Sequence, residues 1–147
     1  MSGQSPTRVD FYRLSSGDTL QAACLIADKA YRSGYRVRVY AVGEDRLQEL
    51  DTRLWSFRAA AFVPHARHRD RDPELPEPVI LADDCTSPEG AQALVCLSPP
   101  EPECVSAYPR VAELVPPDPE AKAAARQRYA AYREAGYQLQ THDLTVN

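Results

Sequence analysis

Basic charge is the first thing this sequence is short of. Its 147 residues carry 17 Lys plus Arg against 21 Asp plus Glu, a net charge of −4, with a pI of about 5.4. A whole-protein basic field that coats nucleic acid is excluded, because net repulsion from phosphate opposes it, so any anion contact has to come from a local patch. Long apolar runs are missing too. Residues 1–16 contain none, and elsewhere the uncharged apolar stretches fall well short of the roughly 20 residues a membrane span needs. Neither export nor membrane insertion is expected, and the expected location is the cytoplasm. The cysteines Cys24, Cys85, Cys96 and Cys104 form no CxxC pair, and only two of them are near neighbours in the chain. Zinc needs tighter clustering of ligands, and in an unexported chain such thiols are expected to be reduced.

Glycine is scarce as well, at six residues. Phosphate cradling needs a glycine-rich turn after the first strand, where backbone N–H groups can approach the anion. The turn here is Ser15-Ser16-Gly17-Asp18, with one glycine, no Lys and an aspartate that repels phosphate. No GxSxG is present, histidine is limited to His65, His68 and His142, and no carboxylate pair stands out for acid–base work. A nucleotide- or metal-dependent enzyme is thus the alternative reading, and neither a catalytic residue nor a cofactor is expected.

Hydrophobic residues make up 44% and charged residues 26%, the balance of an ordinary globular chain near the modal size of one domain. Thirteen prolines fall mainly at 64–78 and 99–119, which reads those stretches as connections. Between them, RVDFYRL (8–14) alternates as a first strand, and Asp18 can cap a helix over 18–33 that Gly34 stops. RVRVYAV (36–42) is strand-like, and 44–55 is a second helix with Leu47, Leu50, Leu54 and Trp55 on one side. Short strand-type runs follow at 60–64, 79–82, 93–98 and 111–115. A last helix runs from about 118 to 135, capped by Asp118 with Pro119 at its first position and Gly136 after its end. Strand–helix alternation predicts parallel crossovers, hence an α/β fold with three α/β/α layers around a mainly parallel sheet.

Three segments carry site chemistry. His65 to Asp72 reads either as a solvated loop of alternating charge or as an anion or metal contact, including direct binding of single-stranded DNA. In the last helix, Ala121, Ala125, Tyr132 and Ala135 share the face toward the sheet. Lys122, Arg126, Tyr129 and Arg133 share the adjoining flank, within about 60° of one another. No acid lies between Lys122 and Arg133 in a chain that is acidic overall. Such a stripe suits an acidic peptide or a free carboxyl terminus, through guanidinium forks, better than duplex DNA. Trp55, Phe57 and Phe62 form a third cluster, which either fills the core between helix and sheet or presents a partner face.

The order and spacing of FYRL, YRSGYRV, LDTRLW, FVPH and RYAAYREAGYQL resemble the chi subunits of bacterial DNA polymerase III, nearly end to end. The resemblance implies a non-catalytic, Rossmann-like α/β/α protein in a single domain over 1–147, with a core from about 8 to 140 and flexible ends. It implies two partners: the psi subunit of the clamp loader, and the acidic C-terminal tail of single-stranded DNA-binding protein, which ends in Phe. DNA is then met only indirectly, and no membrane is involved. Tail binding carries over to Val115, Arg126 and Tyr129; Trp55 and Phe62 match positions on the psi side. One departure is Ala130, where family members have Lys; Lys122 or Arg133 is expected to replace that charge.

Overall fold

The computed structural model describes residues 7–15, 18–56, 64–67, 78–86 and 91–145. Among the described residues, seven strands form one sheet in the order β3-β4-β2-β5-β6-β1-β7, and every described pairing is parallel. The strands are β1 (Arg8–Leu14), β2 (Val37–Tyr40), β3 (His65–Arg67), β4 (Val79–Ala82), β5 (Ala93–Cys96), β6 (Arg110–Val115) and β7 (Gln138–Leu144). Helices α1 (Thr19–Arg32), α2 (Glu44–Ser56), α3 (Pro102–Val105) and α4 (Pro119–Glu134) connect them. The expected doubly covered α/β sheet is what the chain forms, and the physical cause is visible in β2. All four of its residues are buried, with Val37 and Val39 in the core under α1 and α2 and Tyr40 in the core on the opposite face. A strand covered on both sides has no polar face to show.

The two faces carry different helices. Ala22, Ala23, Cys24, Ile26 and Ala27 of α1 pack with Leu47, Leu50 and Leu54 of α2 against one face. Ala125 and Tyr132 of α4 pack with Cys104 and Val105 of α3 against the other, over Val9, Phe11, Leu94 and Val111. Both expected caps form: Asp18 accepts from the Gln21 N–H, and Asp118 accepts from the Ala121 N–H, each satisfying one of the unpaired donors of a first turn. Gly34 and Gly136, beyond the two helix ends, have φ of +92° and +88°, a conformation side chains with a Cβ resist.

Four expectations need correction. First, β7 extends the sheet to Leu144, pairing along β1 from Arg8↔Gln138 to Leu14↔Leu144, past the expected core limit at 140. It is an edge strand whose residues are exposed or half-buried, so its sequence lacks the apolar run that marks a central strand. Second, His65–Arg67 is a buried strand rather than solvated loop. His65 Nε2 lies 2.9 Å from Asp51 Oδ1, and Arg67 makes a two-pronged contact with Glu44 at 3.0 and 2.9 Å. Charges that look like a hydrated run are here matched by acids of α2. Residues 60–63 of the expected AAFVP strand, and 68–72 of the charged segment, lie outside the described residues. Third, Cys85 and Cys104 are joined by a disulfide, with Cα atoms 5.7 Å apart, although 19 residues separate them in sequence. The loop after β4 and helix α3 meet there, where the Tyr108 hydroxyl also donates to the carbonyls of Cys85 and Thr86. Cys24 and Cys96 are free and buried; burial pushes the Cys24 thiol up to about 12 and Cys96 well above its ordinary value. Fourth, Ala135 is exposed rather than turned to the sheet. No helix among the described residues is long and apolar enough to cross a membrane.

Candidate functional site: a cleft at the carboxyl ends of β1 and β6

Adjacent strands β1 and β6 hand the chain to opposite sides of the sheet. From β1 it passes through α1 to β2; from β6 it passes through α4, on the other face, to β7 on the far side of β1. Where two neighbouring connections diverge like this, a crevice opens beyond the carboxyl ends of the strands. A cleft of about 480 Å³ lies there. Its floor is Phe11, Arg13 and Leu14 of β1 with Val115 of β6. One wall is Lys122, Ala125, Arg126 and Tyr129 of α4, and the opposite wall is the end of β7, including Asp143 and Leu144.

Four of the five residues expected to bind an acidic tail therefore line one cleft: Val115, Lys122, Arg126 and Tyr129. The fifth, Arg133, does not. It is seven residues beyond Arg126, about 10 Å further along the helix axis, toward the opposite end of the sheet. Val115 is buried, Tyr129 half-buried, and Lys122, Arg126 and Arg133 are exposed. None of those three cations has an ion pair or side-chain hydrogen bond with another described residue. Tyr129 packs on Phe11, with ring centroids 5.5 Å apart, at the apolar back of the cleft.

Immediately beneath lies a closed polar network. Arg128 Nε donates to Glu113 Oε1 at 2.7 Å, and the Tyr132 hydroxyl donates to Glu113 Oε2. The Glu113 side chain is only 2% exposed. Burial, and then the charge of Glu113, push the Tyr132 phenol well above its ordinary range, so it remains a donor. The network ties α4 to β6 on this face of the sheet.

A second cluster surrounds Asp10, at the amino-terminal end of the sheet on the α1 side. Its carboxylate accepts from Arg8 at 3.2 Å, Arg110 at 3.3 Å and His142 at 2.8 Å, while His142 stacks on Tyr12. Burial pushes the Asp10 carboxyl up, but hydrogen bonds from His142, Arg8 and Arg110 outweigh it and hold the group below the ordinary carboxylate value. Asp10 and His142 are 132 residues apart, and no local pattern marks either of them.

Trp55 is 63% exposed at the end of α2, so it does not fill the core as one reading of its cluster held. Leu54 takes the core position, and the next residue, rotated by about 100°, points away. The Trp55 indole meets the His65 ring edge-on at 5.3 Å between centroids. Phe57 and Phe62, its expected companions, lie outside the described residues. What sequence reasoning missed in the cleft is everything that β1 and β7 contribute: Phe11, Arg13, Asp143 and Leu144.

Fold and cleft together define a doubly wound parallel α/β protein whose switch-point crevice offers cations and an aromatic wall rather than a glycine-rich phosphate loop. The chain belongs to the DNA polymerase III chi subunit family, whose model (DNA polymerase III chi subunit, HolC) matches residues 7–140. It is 43% identical to the DNA polymerase III subunit chi of Pseudomonas aeruginosa over 94% of this chain and 97% of that one. Identity to the subunit chi of Escherichia coli is 33%, over 89% of this chain and 94% of the relative. For that of Haemophilus influenzae it is 28%, over 91% and 95%.

Proposed function

We propose that this protein is a non-catalytic accessory subunit of the DNA polymerase III holoenzyme. In this reading it bridges the clamp loader, through psi, to the acidic C-terminal tail of single-stranded DNA-binding protein. The observation that carries the tail-binding half is the meeting of Val115, Lys122, Arg126 and Tyr129 in one cleft, with both cations free of any described internal partner. Arg126 takes the peptide's terminal carboxylate or an adjacent aspartate in a fork contact. The terminal Phe ring inserts between Val115, Tyr129 and Leu144, where burial contributes about 1.5–3 kcal/mol. Lys122, one turn before Arg126, lines the cleft and stands in for the ammonium lost at Ala130; Arg133, although one turn from Ala130, does not line it. Charge attraction speeds the encounter and makes affinity fall with salt. For the psi side, support comes from Trp55, a large aromatic left on the surface, which is the kind of residue that anchors interfaces.

A fluorescent acidic peptide ending in Phe with a free carboxylate tests this by anisotropy titration. Deleting its Phe is expected to abolish binding, and Arg126→Ala to weaken it tenfold or more. Unchanged affinity for Arg126→Ala would refute the placement. For the second partner, Trp55→Ala is expected to lose co-purification with psi while leaving peptide binding intact.

A further inference from the structure

The floor of the cleft is charged as well as apolar. Arg13 on β1 and Asp143 on β7 are direct register partners. Arg13 Nε donates to Asp143 Oδ1 at 2.8 Å and its Nη2 donates to Oδ2 at 3.2 Å, the same fork a guanidinium offers to any carboxylate. Both side chains remain open to water, 58% and 77% exposed. Asp143 is the one acid among the described residues lining the cleft, against Arg13, Lys122 and Arg126.

We infer that Arg13 is a further carboxylate-binding residue of this cleft and that Asp143 is its built-in competitor, holding the guanidinium until an acidic peptide displaces it. The inference rests on the acidic-peptide reading above and deepens it. An exposed ion pair stabilises the fold little, so exchanging one carboxylate for another on Arg13 changes the contact energy little. What changes is the surrounding charge: a displaced Asp143 stays beside the incoming acids and repels them. Arg13 and Arg126 stand on different elements, on the floor and on the α4 wall. A peptide with a single carboxylate can use Arg126 alone and gains nothing from Arg13. A peptide with a terminal carboxylate and an internal aspartate, laid across the cleft, can occupy both. Asp143 therefore filters ligands by their charge, weakening those whose second carboxylate must displace it from Arg13 and leaving singly charged ones nearly unaffected.

The two members of the pair then have opposite effects on binding, which a purely structural pair cannot produce. In anisotropy titrations with the acidic Phe-ending peptide, Asp143→Asn is expected to tighten binding about two- to fivefold at low salt. Arg13→Ala is expected to weaken it by a similar factor, Arg13→Lys to restore part of the loss, and the double variant to lose the gain of Asp143→Asn. The gain should shrink as added salt screens exposed charges. Thermal unfolding of each variant checks that the fold is retained, which the exposure of both side chains favours. Weaker binding in both single variants, or no change in either while Arg126→Ala still weakens binding tenfold, overturns the filter and leaves the docking reading standing. Absence of binding by the parent protein and by Asp143→Asn alike overturns the docking reading, and the filter with it.

Discussion

Two arginines on α4, two positions apart, divide the helix into regions with opposite purposes. Arg128 points inward and is neutralised by the buried Glu113, which also accepts from Tyr132. Arg126 points along the cleft with no described partner. The helix supplies the same chemical group to both sites, and only the presence of an acid beneath one of them differs. A cation already satisfied by its own fold contributes to stability. A cation left unsatisfied beside an apolar cleft contributes nothing to stability and is available to a ligand.

The comparison can be broken by exchanging the effects. The largest expected change is in stability. Arg128→Ala strands a nearly buried carboxylate and should lower unfolding free energy by about 3 kcal/mol in a urea titration, with peptide affinity within twofold of the parent. A large loss of affinity at unchanged stability would mean that the roles are reversed. Next comes the Asp10 cluster, which extends the contrast to the other end of the sheet. Asp10→Asn should cost about 2 kcal/mol at neutral pH, less than a sealed pair, because its arginine partners are a third exposed. The Asp10 carboxyl titrates lower in the folded protein than in the unfolded chain. Its contribution is therefore complete above the unfolded value, near pH 4, and is lost as pH falls through the folded value. Urea titrations should show parent and Asp10→Asn converging below about pH 4; a gap that widens there would contradict the sign.

On the ligand side, Arg126→Ala should leave unfolding free energy within about 0.5 kcal/mol of the parent, as for other surface substitutions, while weakening peptide binding tenfold. The smallest effect is expected at Lys122. Its replacement by Ala should cost about threefold and flatten the salt dependence of binding, as for one exposed ammonium. Equal losses for Lys122→Ala and Arg133→Ala would show that the stripe acts as a diffuse field rather than through the cleft.

The cleft was half visible in the linear chain, and the visible half is instructive. Lys122, Arg126 and Tyr129 could be grouped because helical spacing puts residues three and four apart on one flank. The same rule included Arg133, which shares the flank but not the height, since periodicity reports the angle around an axis and is silent on where a neighbouring strand ends. Arg13 and Asp143 carried no signal. One sits in a strand of alternating polar and apolar residues and the other in a polar stretch that reads as a frayed end. Trp55 shows the converse: helical spacing places Leu47, Leu50 and Leu54 on a core face and groups Trp55 with them, although one residue's rotation turns it outward.

Local order was thus settled within a few residues. Period, caps at Asp18 and Asp118, and the stops at Gly34 and Gly136 act over one or two helical turns, so the strand–helix alternation and the parallel α/β class could be read directly. Which strands became neighbours could not. The pairing of β1 with β7 joins Arg13 to Asp143 and Asp10 to His142 across 130 and 132 residues. That pairing depends on α4 crossing to the opposite face from α1, a consequence of burying both faces of one sheet at once. The fold class follows from short-range preference, whereas the cleft, its charge filter and its silent partner strand arise from long-range register, which no window along the chain contains.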